Sequence, residues 1–491
     1  MWVSQRITFA ADAVSGGLRE VTMLGKVRRI HFVGIGGIGM SGLAEVLLNL
    51  GFNVSGSDVR RTHVTERLSQ LGARISEEHS AENVGDAEVV VVSSAVPLVN
   101  PEIVEAAHRK IPVIPRAEML AELMRLKFCV AVAGSHGKTT VTSMVAVMLS
   151  EGGLDPTAVI GGRLDVFGSS ARMGKSELMV VEADESDRSF LYLLPTLAIV
   201  TNIDREHLDH YGDLGEIQES FVSFMNKVPF YGAVIVCVDP PWQTAMQAVL
   251  PRLRRKVITY GIQPGADVTT HDLEMQSSGS SFEVSAAGKS LGRFELKIPG
   301  RHNVQNALAA IAVGRELDLN QTQIQEGLKF FRGADRRFQV KAEVDGITVI
   351  DDYGHHPTEI KATLEAARLR GARRVRAVFQ PHRYSRTKFL MDEFAQSFDA
   401  CDRVYILDIY PASEAPIPGI TSQRLVERMG ELGYTRARYA ASEAAVIEDI
   451  LADLRPGDLV LTIGAGSVWK ISEALAKAVN DGVESSGTIR V

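Results

Sequence analysis

Residues 129–140 read CVAVAGSHGKTT, in which a short apolar run leads directly into a glycine-rich turn. The apolar run predicts a buried strand, and the turn predicts a phosphate-binding loop before a helix. The loop is a shortened P-loop, because Val132 stands where the usual pattern has its first glycine. Backbone amides and the helix dipole can hold phosphate oxygens there. We therefore expect a nucleotide site built from Gly134, Ser135, His136, Gly137, Lys138, Thr139 and Thr140.

A second glycine-rich turn precedes this one in the chain. The apolar run 30–33 is followed by Gly34-Ile35-Gly36-Gly37-Ile38-Gly39, and Asp58 follows about twenty residues later. Glycines at this spacing allow a diphosphate to approach the N-terminus of the next helix. The pattern alone fits NAD, FAD or a UDP-sugar, and a tight turn without a ligand is the remaining interpretation. The pattern indicates a ligand with a diphosphate but does not identify the reaction that the protein catalyses.

Apolar strand-like runs alternate with helical patterns along most of the chain. Runs of this kind separated by helices are typical of parallel sheets covered on both faces. The predicted fold class is α/β, in three doubly wound or P-loop-type units with mainly parallel sheets, and a small antiparallel insert is expected near residues 281–294. Glycine-rich turns begin at Gly34, Gly134 and Gly464. We expect a disordered extension at 1–26 and domains at 27–127, 128–335 and 336–491.

Composition excludes several classes of protein. The 491 residues carry a net charge of -7, which gives no overall electrostatic reason to bind nucleic acid or an anionic membrane. The three cysteines, Cys129, Cys237 and Cys401, are far apart, so neither a disulfide framework nor a zinc site is expected. No apolar run reaches the ~18 residues of a membrane span. These features predict a cytoplasmic protein.

Polar clusters follow several of the predicted strands. Glu182 opens an acidic segment after one strand, and His207 lies in the segment after the next, where Mg²⁺ ligands are expected in P-loop enzymes. Asn303 and Asn306 share a helical face and could bind an adenine edge. Two further clusters occupy 351–357 and 380–386. A solvated acidic loop, a structural histidine, a capping Asn and surface salt bridges are the alternative interpretations.

Taken together, these motifs resemble the Mur ligase family of bacterial cell-wall synthesis. The resemblance runs from about Arg29 to about Leu475. It is carried by GIGGIGMSGLAEVL from Gly34, SGSD from Ser55, SSAV from Ser93, PRAEMLAELM from Pro115, AGSHGKTT from Ala133, EADESD from Glu182, TNIDREHLDHY from Thr201, PGRHNVQNALAA from Pro299, RRFQ from Arg336, DDYGHHPTEI from Asp351, FQPHRYSRT from Phe379 and GAGSVW from Gly464. The family implies a first domain for a UDP-sugar, a second for ATP and a third that closes over an amino acid.

The resemblance also assigns roles by position. Lys138 would hold the γ-phosphate, Thr139 and Glu182 would bind one Mg²⁺, and Glu182 and His207 would share a second. Asn303 and Asn306 would lie at the adenine, and Arg337 and Asp352 would bind ATP from the third domain. The residues expected to bind the other two substrates are Gly36, Gly37, Ile38, Gly39, Asp58, Ser93, Ser94 and Arg116 for the UDP-sugar, and Tyr353, His355, Arg383 and Arg386 for the amino acid.

The implied activity is the ATP-dependent ligation of L-alanine to UDP-N-acetylmuramate through an acyl phosphate. No lysine occurs between Arg205 and Lys227, which favours the alanine-adding branch over relatives that use a carbamylated lysine there. A monomer or weak homodimer is expected. The alternatives are a ligase that adds a tripeptide, an NAD-dependent oxidoreductase and a non-catalytic ATP-binding module.

Overall fold

The computed structural model describes residues 24, 26–93, 95–125, 127–164, 169–206 and 211–486. Nearly all of the predicted extension at 1–26 lies outside these residues, as do Ser94 and His207. Within the described ranges, none of the helices is both long enough and apolar enough to cross a membrane.

The first unit contains a five-stranded parallel sheet in the order β3-β2-β1-β4-β5. The order of the strands along the chain reverses between β1 and β4, and this reversal opens a crevice at the carboxyl ends of the two strands. The elements are β1 (Arg29–Val33), α1 (Ile38–Asn49), β2 (Asn53–Asp58), α2 (His63–Gln70), β3 (Arg74–Glu77), β4 (Val89–Val92), α3 (Pro101–His108), β5 (Val113–Pro115) and α4 (Arg116–Met124).

The second unit contains a ten-stranded sheet in the order β15-β14-β13-β12-β11-β10-β6-β9-β7-β8. Its elements are β6 (Phe128–Ala133), α5 (Lys138–Glu151), β7 (Thr157–Leu164), β8 (Ser169–Arg172), β9 (Leu178–Glu182), β10 (Leu197–Val200), α6 (Leu214–Met225), β11 (Ala233–Cys237), α7 (Gln243–Val249), β12 (Lys256–Gly261), β13 (Val268–Gln276), β14 (Gly279–Ala286), β15 (Lys289–Leu296), α8 (Arg301–Glu316) and α9 (Gln321–Phe330). The strands β13, β14 and β15 pair antiparallel, so the expected insert is larger than the segment 281–294.

The third unit contains a six-stranded sheet in the order β16-β17-β21-β18-β19-β20, with only β16 antiparallel. Its elements are β16 (Gln339–Val344), β17 (Ile347–Asp352), α10 (Pro357–Leu369), β18 (Arg374–Phe379), α11 (Tyr384–Phe389), α12 (Met391–Ala395), β19 (Arg403–Ile406), α13 (Ser422–Glu431), β20 (Ala437–Tyr439), α14 (Glu443–Ala452), β21 (Asp458–Ile463) and α15 (Trp469–Ser486). The α/β class with three units and mainly parallel sheets is confirmed. The exact domain limits stay predictions.

Apolar packing joins the first two units. One continuous core contains Ile30 and Met119 of the first unit together with Cys129, Phe190 and Phe221 of the second. The cores of the third unit are separate from this one among the described residues. The third unit instead meets the second largely through polar side chains at the carboxyl edges of their sheets, which is where the candidate site lies.

Candidate active site

The P-loop joins β6 to α5 in a backbone path that needs glycine. Gly134 has φ +129°, and a Cβ there would overlap the Thr201 hydroxyl and lie 2.9 Å from Thr201 N. Gly137 has φ +82°, and its Cβ would lie 2.9 Å from Asn306 Oδ1. Left-handed backbone of this kind favours glycine. The loop is also supported from the end of β10, since Asn202 Oδ1 accepts from His136 N at 2.8 Å.

Lys138, the first residue of α5, is enclosed by the loop and by an acidic neighbour. Its Nζ donates to Gly134 O at 2.7 Å, to Ser135 O at 3.2 Å and to Glu185 Oε1 at 2.7 Å. Burial disfavours the charged ammonium, but the attraction of Glu185 and of Asp184 outweighs burial and raises the pKa of Lys138. The side chain is therefore a permanent positive charge at the phosphate loop. Glu185 was not among the expected site residues.

Glu182 and Thr139 form the predicted first metal-binding pair. Thr139 Oγ1 donates to Glu182 Oε1 at 3.0 Å, and Gly161 N donates to Oε2 at 2.8 Å. Burial raises the pKa of Glu182, although Lys138 opposes this shift. A hydroxyl and a buried carboxylate oxygen this close are a hard-oxygen donor set that suits Mg²⁺, and a cation would stabilise the buried charge. The residues present thus fit a magnesium ion, while His207, the expected partner of Glu182, lies outside the described residues.

A pocket lies between the P-loop, α8 and the third unit. Seven of the eleven expected nucleotide residues line it, namely His136, Gly137, Thr140, Asn303, Asn306, Arg337 and Asp352, whereas Gly134, Ser135, Lys138 and Thr139 are not part of the lining. Trp242, which the sequence did not single out, also lines the pocket. Asn306 Nδ2 donates to Asn303 Oδ1 at 3.3 Å, so the two amides share a helical face as their spacing predicts. The pocket therefore gathers expected nucleotide residues from the second and third units at one place.

Asp352 shapes the third unit's side of the pocket. Its Oδ2 accepts from Phe338 N at 2.7 Å, and its Oδ1 accepts from Gly354 N at 2.8 Å and from Thr363 Oγ1 at 3.1 Å. Burial raises the pKa of Asp352, and Arg337 partly opposes the shift. In the structure this carboxylate orders the turn after β17 and the entrance to α10, so a structural contribution accompanies any contact with ATP.

The four residues expected at the amino acid follow β17 and β18. Arg386 Nη2 donates to Glu206 Oε1 at 3.1 Å, and His355 Nε2 lies 3.6 Å from the same oxygen. The Tyr353 and His355 rings meet edge to face at 5.5 Å. Arg383 has φ +69° and donates its backbone N–H to Tyr410 O at 2.8 Å. Arg386 and His355 therefore meet at the carboxylate of Glu206, which comes from the second unit.

Sequence reasoning missed His382, which also belongs to this cluster. Its ring lies 5.7 Å from that of His355 and stacks at 5.6 Å on Tyr410. Burial, with help from His355 and Arg386, lowers the pKa of His382 to about 2, so the ring is neutral. His382 lies within the quoted segment FQPHRYSRT, but nothing in the pattern separated it from its charged neighbours.

The P-loop histidine faces the third unit. His136 Nε2 lies 2.9 Å from Asp204 Oδ2, its ring centroid is 4.7 Å from that of His356, and its Nδ1 is 3.5 Å from Glu359 Oε1. Burial disfavours the charged ring, but the hydrogen bond to Asp204 and the nearby carboxylate of Glu359 outweigh burial and raise the pKa of His136 to about 10. We interpret the group as an ion-pair cluster between units. Ligand atoms of His136, Asp204 and His356 do lie within 4.8 Å of one another, a spacing that a metal could bridge.

The first glycine loop lies at the crevice of the first sheet. Gly36 N donates to Asp58 Oδ2 at 2.8 Å, and a Cβ on Gly36 would lie 2.8 Å from the same oxygen. A Cβ on Gly39 would lie 3.1 Å from Arg116 Nη1. Gly37 caps α1 without a side-chain hydrogen bond, and Ser93 follows the neighbouring strand β4. Gly36, Gly39, Asp58 and Arg116 thus lie together at this edge, with Asp58 engaged by the loop itself, while Ser94 lies outside the described residues.

The chain matches three family descriptions in sequence order. "Mur ligase family, catalytic domain" covers residues 29–128, "Mur ligase middle domain" covers 132–314, and "Mur ligase, glutamate ligase domain" covers 336–466. A UDP-N-acetylmuramate–L-alanine ligase of Acidobacterium capsulatum is 57% identical over 456 residues, covering 93% of this chain and 98% of that protein. The ligase of the same name from Solibacter usitatus is 55% identical over 452 residues, covering 92% and 95%.

Solved structures give the same picture. A UDP-N-acetylmuramate–alanine ligase from Thermotoga maritima superposes with a TM-score of 0.78 at 29% identity, covering 92% of this chain and 99% of that one. A murein peptide ligase from Psychrobacter arcticus superposes with a TM-score of 0.68 at 25% identity, with coverage of 92% and 99%.

Proposed function

This chain belongs to the Mur ligase family, and from that premise we propose that it joins L-alanine to UDP-N-acetylmuramate at the expense of ATP, in the synthesis of peptidoglycan precursors. The observation that carries the proposal is the shared pocket in which P-loop residues and third-unit residues, such as Gly137 and Arg337, face each other. The site of phosphoryl transfer and the amino-acid site then lie next to each other, as a ligation requires. The first glycine loop is left for the UDP-sugar.

The first step is a phosphoryl transfer. A carboxylate oxygen of UDP-N-acetylmuramate attacks the γ-phosphorus of ATP, the bond from phosphorus to the β-phosphate oxygen breaks, and ADP leaves. Negative charge is spread over the transferred oxygens in the transition state, and a fixed cation stabilises it. The raised pKa of Lys138 keeps such a cation at the P-loop. The backbone N–H groups in the first turn of α5 add to the positive potential that Lys138 provides.

Mg²⁺ is part of the proposal because the donors fit it. Thr139 and Glu182 would hold one ion, and Glu182 would share a second with His207, which is proposed as a ligand from sequence alone. When bound, the ion neutralises charge on phosphate oxygens. The pair's own contribution is to keep a hydroxyl and a carboxylate oxygen within 3.0 Å of each other on separate elements, α5 and β9.

The second step forms the amide. The amine of L-alanine attacks the acyl phosphate carbon, inorganic phosphate leaves with the bonding electrons, and the amine gives up a proton. We propose that Arg386 and His355 hold the amino-acid carboxylate in place of Glu206, which they contact in this structure. A guanidinium donating to a carboxylate is a strong, directional pair. Enclosure of this site between two units keeps water from the acyl phosphate.

The deciding experiment measures ATP-dependent phosphate release with UDP-N-acetylmuramate and either L-alanine or a muropeptide tripeptide. Release with L-alanine alone supports the proposal. Release with the tripeptide alone would establish the peptide-adding activity instead. Hydride transfer with NAD would instead support an oxidoreductase. ATP binding without turnover would support a non-catalytic binding module.

Two broader features belong to the proposal as well. A cytoplasmic location agrees with the use of ATP and with three free, buried cysteines. A monomer or weak homodimer remains our expectation, to be measured by sedimentation.

A further inference from the structure

A fully buried carboxylate lies in the first unit, away from the ATP pocket. Glu102 is in the first turn of α3 and has no exposed surface. A charge in such a place is costly unless it is well paired, and apolar side chains of similar volume are often at least as stable there. The presence of this carboxylate therefore calls for a reason other than stability.

Glu102 is paired on both oxygens. Ser57 Oγ donates to Oε2 at 2.6 Å, and Asn83 Nδ2 donates to Oε1 at 2.7 Å. His31 Nε2 and His79 Nδ1 each lie 3.5 Å from Oε2. Burial alone would favour the neutral acid, but these partners lower the pKa of Glu102 to about 2. The group is thus an anion that gathers donors from several segments.

Those segments follow strands of the same sheet that carries the first glycine loop. Ser57 is near the end of β2, Asn83 lies after β3, and Glu102 itself follows the loop after β4. Ser80 N adds a further bond to Oε1, at 3.3 Å. Residues at or beyond the carboxyl ends of β2, β3 and β4 therefore meet at one carboxylate.

Ser57 connects this carboxylate to the glycine loop. Ser57 O accepts from Gly34 N and from Ile35 N, both at 2.9 Å, and the next residue, Asp58, accepts from Gly36 N at 2.8 Å. Ser57 is itself fully buried. A change in the position of Ser57 would hence move the backbone amides of the loop directly.

We propose that Glu102 is a positioning residue for the UDP-sugar: it fixes Ser57, and through Ser57 it fixes the glycine loop that receives the diphosphate. The inference rests on the proposed function of the first unit. It assigns Glu102 no contact with substrate. Its effect falls on the binding of one substrate out of three, because Lys138 and Arg386 lie in other units.

The test is a set of steady-state constants for Glu102→Gln. This change keeps the size of the side chain and removes its charge. We expect KM for UDP-N-acetylmuramate to rise about tenfold, equivalent to about 1.4 kcal/mol, while kcat and the KM values for ATP and L-alanine stay within about twofold. Ser57→Ala, which removes the donor and keeps the carbonyl, should act in the same direction. The KM of the double variant for UDP-N-acetylmuramate should be no higher than that of Glu102→Gln, because both substitutions break the same connection.

Two controls separate positioning from stability. Glu105→Gln makes the same change on the same helix at a partly exposed position and should leave every constant unchanged. Leu68→Val trims the first unit's core and should lower the melting temperature without raising the UDP-sugar KM. If Glu102→Gln and Leu68→Val lower the melting temperature alike and neither shifts that KM selectively, the inference is overturned.

The proposed function fails by a different result. A wild-type enzyme that releases no phosphate with UDP-N-acetylmuramate and L-alanine contradicts the function, whatever the variants do. In that case calorimetric titration with UDP still measures the affinity of the glycine loop for a diphosphate. Weaker UDP binding by Glu102→Gln and Ser57→Ala than by the wild type supports the positioning role, and equal binding contradicts it.

Discussion

The Nζ atom of Lys138 lies 2.7 Å from Oε1 of Glu185, whose side chain is only 2% exposed. The cation that should meet a phosphate is thus already paired with an anion of the protein. A phosphate that reaches the loop competes with this carboxylate and is attracted by the same charge. The pair also makes Lys138 part of the folded structure.

Removing only one member of this pair should be costly. Lys138→Met leaves the carboxylate of Glu185 buried without its cation, and we expect a loss of about 3–5 kcal/mol in the free energy of unfolding. Lys138→Met combined with Glu185→Gln should recover much of that loss, yet phosphate release should be abolished in both. Urea denaturation and the phosphate assay measure the two effects. Ligation by the Lys138→Met variant would remove Lys138 from the mechanism.

Gly134 should tolerate no side chain. In Gly134→Ala the new Cβ meets the Thr201 hydroxyl and backbone, so the P-loop must move. We expect nucleotide binding to fall by at least about a hundredfold, equivalent to about 2.7 kcal/mol. Gly153→Ala is the matched control, because Gly153 also has positive φ, at +87°, but no atom lies within 4 Å of its Cβ position. Equal nucleotide affinity of the two variants, measured by calorimetry, would contradict the steric argument.

His136 should make stability depend on pH in the alkaline range. Its pKa is raised from 6.5 to about 10 in the folded protein, so folding favours the protonated ring. The stabilisation is complete below pH 6.5 and is lost as the pH rises through about 10. The difference in unfolding free energy between wild type and His136→Gln should therefore shrink from pH 7 to pH 10. A difference that stays constant over that range would show that the ring is neutral.

Arg386 should govern the amino acid alone. Arg386→Lys keeps the charge but loses the planar fork, and we expect KM for L-alanine to rise about tenfold or more with KM for ATP nearly unchanged. The exposed Lys388 on the same short helix offers a control, since Lys388→Arg should have no effect. A parallel rise in both KM values would indicate a disturbed interface between the units instead.

Trp242 should report on the nucleotide. Its ring lines the pocket, 6.2 Å from the ring of His136, so a bound nucleotide changes its surroundings. We expect ADP to change the tryptophan emission and Trp242→Phe to abolish that change. The two other tryptophans, Trp2 and Trp469, remain in this variant and serve as the internal reference. A full signal from Trp242→Phe would place the nucleotide elsewhere.

Local patterns predicted much of this molecule. Glycine spacing predicted two glycine turns, and the structure leaves no room for a side chain at Gly36 in the first turn or at Gly134 in the second. The spacing of Asn303 and Asn306 correctly put them on one face of α8, since helical periodicity is a local property. The three-unit α/β fold followed from the alternation of strands and helices.

Long-range pairings were beyond the same reasoning. Glu185 lies in an acidic run, and only the fold selects it as the partner of Lys138, 47 residues away. Glu206 meets Arg386 across 180 residues and across two units. Glu102 sits in an ordinary amphipathic helix whose sequence gives no sign that it is buried. Such pairings depend on how the edges of different sheets face one another, and the local periodicity of the sequence carries no information about that.

The division of the apolar cores has a consequence for engineering. The first two units share one core, whereas the third has its own and meets the second largely through charged and polar side chains. A transplant of residues 336–491 from a relative would therefore leave the shared core intact, and it would have to keep compatible partners for His136, Asp204 and Glu206. Chimeras made at this seam offer a modular route to ligases that accept other amino acids.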